Sequence, residues 1–375
     1  MQMTQILLIH TDQLCKNLLN QRYLFLFLYY SIKGNKMKSL INIFFVIYFI
    51  SITINAQSEQ QFAELGNFKL VNGETIYKCK IGYRTFGVLN ADKSNAVLYP
   101  TWFGGKSENL ANLIGSCKLV DSDKYFVIAV DALGNGVSSS PSNCEYQSNK
   151  NFPGITIKDM VNSQYKLLTE HLGINHLYGI IGGSMGGMQV FEWVVSYPTF
   201  MEKAVAYVGS PKLTSFDLML WQTELNAIEE GWQCNLSDKQ MMKTVAAIHH
   251  TLARTPQYMI DNIKVEDVPV KLANTYDSYS KFFNSYDWAL LLKAMMSHDI
   301  SKNFNSSMKQ AAESVKAKLF IIASSTDLII NPNPALEFAE LVDAQTHVFE
   351  NNCGHLAPGC EMETFMEIVH DFFDD

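Results

Sequence analysis

Charged residues make up only 18% of the 375-residue chain, they are scattered rather than run together, and the formal net charge is −8. Without a basic stripe there is no electrostatic footprint for nucleic acid, and small-molecule partners are expected. Metal-binding spacing is lacking as well, since no CxxC pair and no His/Cys cluster matches a zinc site. Neither G-x-G-x-x-G with its downstream acid nor the full G-x-x-x-x-G-K-[ST] phosphate loop occurs, and no resident cofactor is implied. Repeats and low-complexity linkers are missing. So is the polar bias of a disordered chain, because 47% of residues are hydrophobic and 12% aromatic. Such a chain buries a substantial core as one large α/β domain or two small ones.

The segment "MKSLINIFFVIYFISITINAQSEQ" has Lys38 behind Met37, an apolar run, and a small residue at Ala56. That is the layout of a secretory signal peptide over residues 37–56, and it predicts a secreted or periplasmic protein. Residues 1–36 then read as an over-extended start or a dispensable leader. The competing reading is a transmembrane anchor from residues 40–54, which is short for a span of roughly 20 residues; no stable membrane span is expected in the mature form. Cleavage after Ala56 removes five of 29 basic and one of 37 acidic residues, leaving 24 against 36 and a net charge of −12. Six cysteines would then meet an oxidising compartment: Cys79, Cys117, Cys144, Cys234, Cys353 and Cys360. Six allow 15 pairings, which sequence alone leaves open.

From residue 57 onward, short apolar runs alternate with helical segments, the signature of an α/β fold with a mainly parallel sheet. The runs are residues 81–89, 95–100, 125–131, 176–183, 203–209, 317–324 and 346–350. "TIKDMVNSQYKLLTEHLG" predicts a helix with Thr156 as N-cap, an apolar face at Met160, Val161, Tyr165 and Leu168, and a stop at Gly173. Between Pro211 and Lys316 the strand-like runs vanish. The expected organisation is a core of residues 57–210 and 317–375 with a helical lid inserted at 211–316. Lid residues such as Trp221, Trp232, Met242, Trp288 and Met295 are expected mainly as helix cores, with an apolar acyl channel as the alternative.

In "LYGIIGGSMGGMQVFEW", residues Gly182 to Gly186 match G-x-S-x-G between an apolar strand and a helical pattern. This is the context of a nucleophile elbow, in which a strained turn exposes the Ser184 hydroxyl and flanking glycines remove Cβ atoms that would collide. Partners follow in the order Ser, Asp, His. Asp327 stands after the run "LFIIASSTD" and His355 after the next strand, in "VFENNCGHLAPG". The roles predicted are Ser184 as nucleophile, His355 as general base and then acid, and Asp327 as the group that fixes the imidazole. The oxyanion hole is expected from the backbone N–H of Met185 and one from "TWFGG", with Phe103 first and Trp102 second. The plainer alternatives are a turn acid at Asp327 before Pro332, and surface or core histidines like those at His171, His176, His249, His250, His298 and His347.

With these residues in place, the chain resembles the homoserine O-acetyltransferase group of the α/β-hydrolase superfamily over most of residues 60–375. The resemblance is strongest in "FPGITIKDMVNSQYKLLTEHLGI" followed by "GGSMGGMQVFEWVVSYP", and extends to "NAVLYPTWFGG", "YFVIAVDALGNGVSSSPS", "AMMSHDI" and "TDLIINP". It implies an α/β-hydrolase fold with a helical lid, a homodimer in many members, and acyl transfer from acetyl-CoA through the serine to homoserine.

The departures concern the acceptor. Family transferases commonly place an Asp directly after the catalytic His, where this chain has Leu356, and an Arg in a lid helix, where it has Ala246 or Ala247, with Arg254 several residues on. "EEGWQCN" keeps only Trp232 of the family's Asp-Pro-x-Trp block, and "TWFGG" replaces His-Ala-Leu-Thr-Gly. A zwitterion requires a paired charge at each end, which leucine and alanine do not supply. The expectation is therefore an exported serine hydrolase acting on a small-molecule ester, thioester or lactone. A true homoserine O-acetyltransferase, with acetyl-CoA as co-substrate, is the alternative; a non-catalytic binding protein is the reading from another class. Cys353 and Cys360 bracket His355, and a disulfide between them would pin its loop.

Overall fold

The computed structural model describes residues 58–375. The leader and signal-peptide readings for 1–36 and 37–56 lie outside the described residues. The strands are β1 (Gln61–Lys69), β2 (Thr75–Phe86), β3 (Ala96–Pro100), β4 (Phe126–Val130), β5 (Leu177–Gly183), β6 (Met201–Tyr207), β7 (Lys318–Ser324) and β8 (Gln345–Phe349). They form one eight-stranded sheet in the order β1-β2-β4-β3-β5-β6-β7-β8. The pairs β1–β2 and β2–β4 are antiparallel and the others parallel.

β2 to β8 each overlap an apolar run of the sequence, the central strands β3 to β7 along most of their length because both their faces are covered, and the antiparallel β2 only from Ile81 onward. β1 does not. It is an edge strand with three of nine residues buried, and its register slips between Glu64 and Gly66 and again before Phe68, which breaks the alternation that marks a strand.

Alternate residues of the central strands face opposite sides. Ile180, Ala204 and Ile321 belong to one buried cluster, while Ile181, Val205 and Ile322 belong to the other. β3 is followed by α1 (Ser107–Leu110), β4 by α2 (Ile157–Lys166) and β5 by α3 (Met185–Ser196). Thr156 caps α2 in a reciprocal box with Asp159. Its last turn widens to an i→i+5 bond, Leu172 N–H to Leu167 O, before Gly173 turns the chain at φ +60°.

Between β6 and β7 come α4 (Ser215–Gln233), α5 (Asp238–Leu252), α6 (Pro256–Asn262), α7 (Val268–Phe282), α8 (Ser285–Met296) and α9 (Met308–Ser314). Trp221, Met242, Trp288 and Met295 are buried in the cluster that α3 also joins, so they are packing residues. The segment has a neck, where Lys212 and Asp299 pair through their backbones in an isolated antiparallel bridge that includes the Ile300 N–H to Pro211 O hydrogen bond. His298 is buried at this neck, and desolvation pulls its pKa down to about 4 from 6.5. The stability that depends on neutral His298 is complete above about pH 6.5 and is lost as the pH falls toward 4. Urea titrations at pH 7 and pH 5 should show the native protein losing more stability than His298→Asn; equal losses would refute this.

After β7 comes α10 (Asn333–Val342), and after β8 come α11 (Ala357–Cys360) and α12 (Met362–Asp374). The buried Lys203 of β6 donates to the Phe372 and Phe373 carbonyls at the end of α12, at 3.1 and 2.9 Å, and to the Tyr178 hydroxyl at 3.1 Å. A cation at a helix C-terminus satisfies carbonyls that have no helical partner. Lys203→Met is expected to cost about 2 kcal/mol, because Phe372 O loses its side-chain donor and Phe373 O keeps only the Tyr178 and Tyr125 hydroxyls. Denaturant unfolding would measure this, and a loss within error would show water taking over the role.

Candidate active site

β5 runs into α3 with a single residue, Ser184, between them. Its backbone sits at φ 57°, ψ −122°, a conformation that a residue with a Cβ adopts only under constraint. The constraint is packing. A Cβ on Gly182 would lie 2.4 Å from the Gly186 carbonyl oxygen, and one on Gly186 would lie 2.7 Å from that of Pro100. Strand, turn and helix therefore press together with no room for methyl groups. Ser184 N–H donates to Tyr207 O and Met188 N–H to Ser184 O, both at 3.0 Å, tying the elbow to β6 and to its own helix.

Asp327 stands beyond β7 and is buried. One carboxylate oxygen accepts from the backbone N–H groups of Ile329 at 2.8 Å and Ile330 at 3.0 Å, which orients the other toward His355. His355 lies in the short turn after β8, with Nδ1 2.7 Å from Asp327 Oδ2 and Nε2 2.9 Å from Ser184 Oγ. An ionised carboxylate only accepts, so Nδ1 carries the proton and Nε2 presents its lone pair to the serine hydroxyl. The three side chains named from the sequence thus stand in one relay, joined from three strand ends.

The histidine loop is held from several sides. Cys353 and Cys360 form a disulfide across it, which is the pairing expected to pin it. Asn351 accepts from Cys353 N–H, and Thr326 donates to Asn351 O. From the lid, Thr255 donates to Asn352 O, and Arg254 stacks on Tyr258 while reaching Cys360 Sγ. Arg254, several residues on from Ala246 and Ala247, is thus engaged with the histidine loop.

Met185 opens α3, where the first N–H groups have no helical partner. Among the described residues, neither its N–H nor those of Trp102 and Phe103 donates to a protein acceptor. A buried side-chain chain that the sequence did not single out ties these two segments together. Gln189 donates to Thr101 O at 3.0 Å and Met185 O at 3.1 Å; Gln164 donates to Gln189, and Trp193 to Gln164. Its sequence signal is slight, a glutamine one helical turn after the elbow.

Ala246 is buried in α5 and Leu356, directly after His355, is 43% exposed; neither brings a charge to the relay. The arrangement suits attack of an activated hydroxyl on an acyl carbonyl, with no charged clamp on the acceptor from these two positions.

Residues 97–358 match a family model described as alpha/beta hydrolase fold. A probable esterase of Corynebacterium glutamicum is 31% identical over 322 residues, covering 81% of this chain and 91% of that protein. The homoserine O-acetyltransferase of Pelobacter propionicus is 28% identical, covering 86% and 98%. Among solved structures, an acetylester hydrolase from Corynebacterium glutamicum superposes with a TM-score of 0.79 at 27% identity, covering 86% of this chain and 98% of that one.

Proposed function

Because the chain belongs to the alpha/beta hydrolase family, we propose that it is an exported serine hydrolase that cleaves a short acyl ester, thioester or lactone through an acyl-enzyme. Ser184 Oγ attacks the acyl carbonyl while its proton passes to His355 Nε2. The oxyanion is held by the N–H groups of Met185 and Phe103, and Asp327 stabilises the imidazolium. The C–O or C–S bond breaks, the leaving group takes the proton from His355, and water attacks the acyl-enzyme in the same way. Ester and water become acid and alcohol, with Ser184 and His355 restored.

The observation that carries hydrolysis over transfer to an amino acid is the lack of a charged side chain at two positions, Leu356 after His355 and Ala246 in α5. Export is supported by the pattern of residues 37–56 and by the Cys353–Cys360 disulfide, which suits an oxidising compartment. Homoserine O-acetyltransferases among the relatives favour acetyl-CoA-dependent transfer as the second reading. Thiol release from acetyl-CoA, with and without L-homoserine, separates the two when run beside p-nitrophenyl acetate hydrolysis with Ser184→Ala as blank. Hydrolysis that ignores homoserine supports the proposal; thiol release that depends on homoserine restores the acyltransferase reading. N-terminal sequencing of the native protein tests export, with a first residue at Gln57 expected and a start upstream of Met37 ruling it out.

A further inference from the structure

We propose that Glu224, a buried carboxylate in the lid, is a positioning residue for the oxyanion loop, acting through His249 and Trp288; this rests on the acyl-transfer reading above. Glu224 lies on α4 and is wholly buried. Its two oxygens are divided between two rings on other lid helices. Oε1 is 3.0 Å from His249 Nδ1 on α5, and Oε2 accepts from Trp288 Nε1 on α8 at 3.0 Å. A carboxylate without water is costly unless each oxygen finds a donor, so this residue is committed to holding both rings.

Both rings in turn hold Phe103. The His249 ring stacks on it with centroids 5.9 Å apart and planes 24° from parallel, and Trp288 meets it edge-on at 4.4 Å. Phe283 and Tyr279 pack on Trp288 from farther out. The remainder of the loop is fixed at its other end, where Gln189 binds Thr101 O. Phe103 thus has its side chain clamped by the lid, and its backbone N–H is the oxyanion donor expected from the sequence. An ordinary core would fill this space with apolar side chains. An imidazole hydrogen-bonded to a buried carboxylate instead sets the height and tilt of one ring, and through it the peptide plane on which the hole depends. Misplacing a donor by about 1 Å is worth about 10²-fold in rate.

The test compares an oxoester with its thionoester, because sulfur is a poorer and larger acceptor in a hole built for oxygen. The ratio of kcat/KM for the two reports donor placement, which a merely structural lid contact would leave alone. The full-length native protein is assayed first against Ser184→Ala, then Glu224→Gln and His249→Gln. Glu224→Gln is expected to lower kcat on the oxoester by roughly 10- to 100-fold with KM within about threefold, and to lower the oxo/thiono ratio by about tenfold. His249→Gln removes the stacked ring but leaves the Glu224–Trp288 bond, and a similar fall in ratio is expected, which keeps the test available if Glu224→Gln does not fold. A ratio within about twofold of native in a folded variant overturns the proposal, whatever happens to kcat. If the native protein shows no Ser184-dependent turnover of either ester, the function reading falls and this one with it.

Discussion

Replacing Ser184 with Ala is expected to cut ester turnover by about 10⁵- to 10⁶-fold, and unfolding free energy should stay within about 1 kcal/mol of native. The reasoning starts from the relay. Ser184 Oγ is 2.9 Å from His355 Nε2, and the Asp327 bond fixes the tautomer that leaves that nitrogen free to accept a proton. Without the hydroxyl there is no covalent route, and what remains is the slow attack of water aided by the oxyanion donors. His355→Ala on top of Ser184→Ala should cost almost nothing more, because the residues act as a unit. Asp327→Asn is expected to lose about 10⁴-fold, since an amide can hold the wrong tautomer. Steady-state kinetics on p-nitrophenyl acetate and covalent labelling by a fluorophosphonate supply the readouts. Retained turnover in the Ser184 variant would remove the mechanism, and a melted protein would make it uninformative about chemistry.

The second large effect is on folding. Gly182→Ala would place a methyl group 2.4 Å from the oxygen and 2.5 Å from the carbonyl carbon of Gly186, with Val190 Cγ2 at 3.1 Å. Those Gly186 atoms are backbone in the first turn of α3, so a rotamer change cannot relieve the clash and the helix has to lift from the strand. The expected cost is about 3 kcal/mol or more, a melting point lower by roughly 4 °C or more. Gly154→Ala is the control, because its new Cβ meets nothing within 4 Å, and it should stay within about 0.5 kcal/mol. Calorimetry on the pair decides: equal melting points would show that the elbow yields more easily than its geometry indicates.

Much of the fold and of the relay is legible in the sequence, for reasons that differ by residue. Parallel strands buried on both faces announce themselves as apolar runs, and a serine between glycine pairs at the end of such a run fits few roles besides an exposed nucleophile. Asp327 and His355 are legible because strand ends in this fold point to one edge of the sheet, so chain order stands in for proximity. β1 is hidden because an edge strand with two register slips carries little periodicity. The Gln164–Gln189–Trp193 chain and the Glu224 pairings are hidden because single polar residues on helices look ordinary until another helix supplies the donor. His249, which reads as one surface or core histidine among several, gains its interest only from the Glu224 carboxylate and the Phe103 ring beside it.

The neck at Pro211–Lys212 and Asp299–Ile300 has a consequence for how such proteins diversify. Its two sides pair backbone to backbone, so whatever lies beyond begins and ends at nearly one point in space. Insertions with adjacent ends disturb their host least. A segment exchanged whole at this junction would leave the sheet, and the elbow that β5 and β6 hold, as they are.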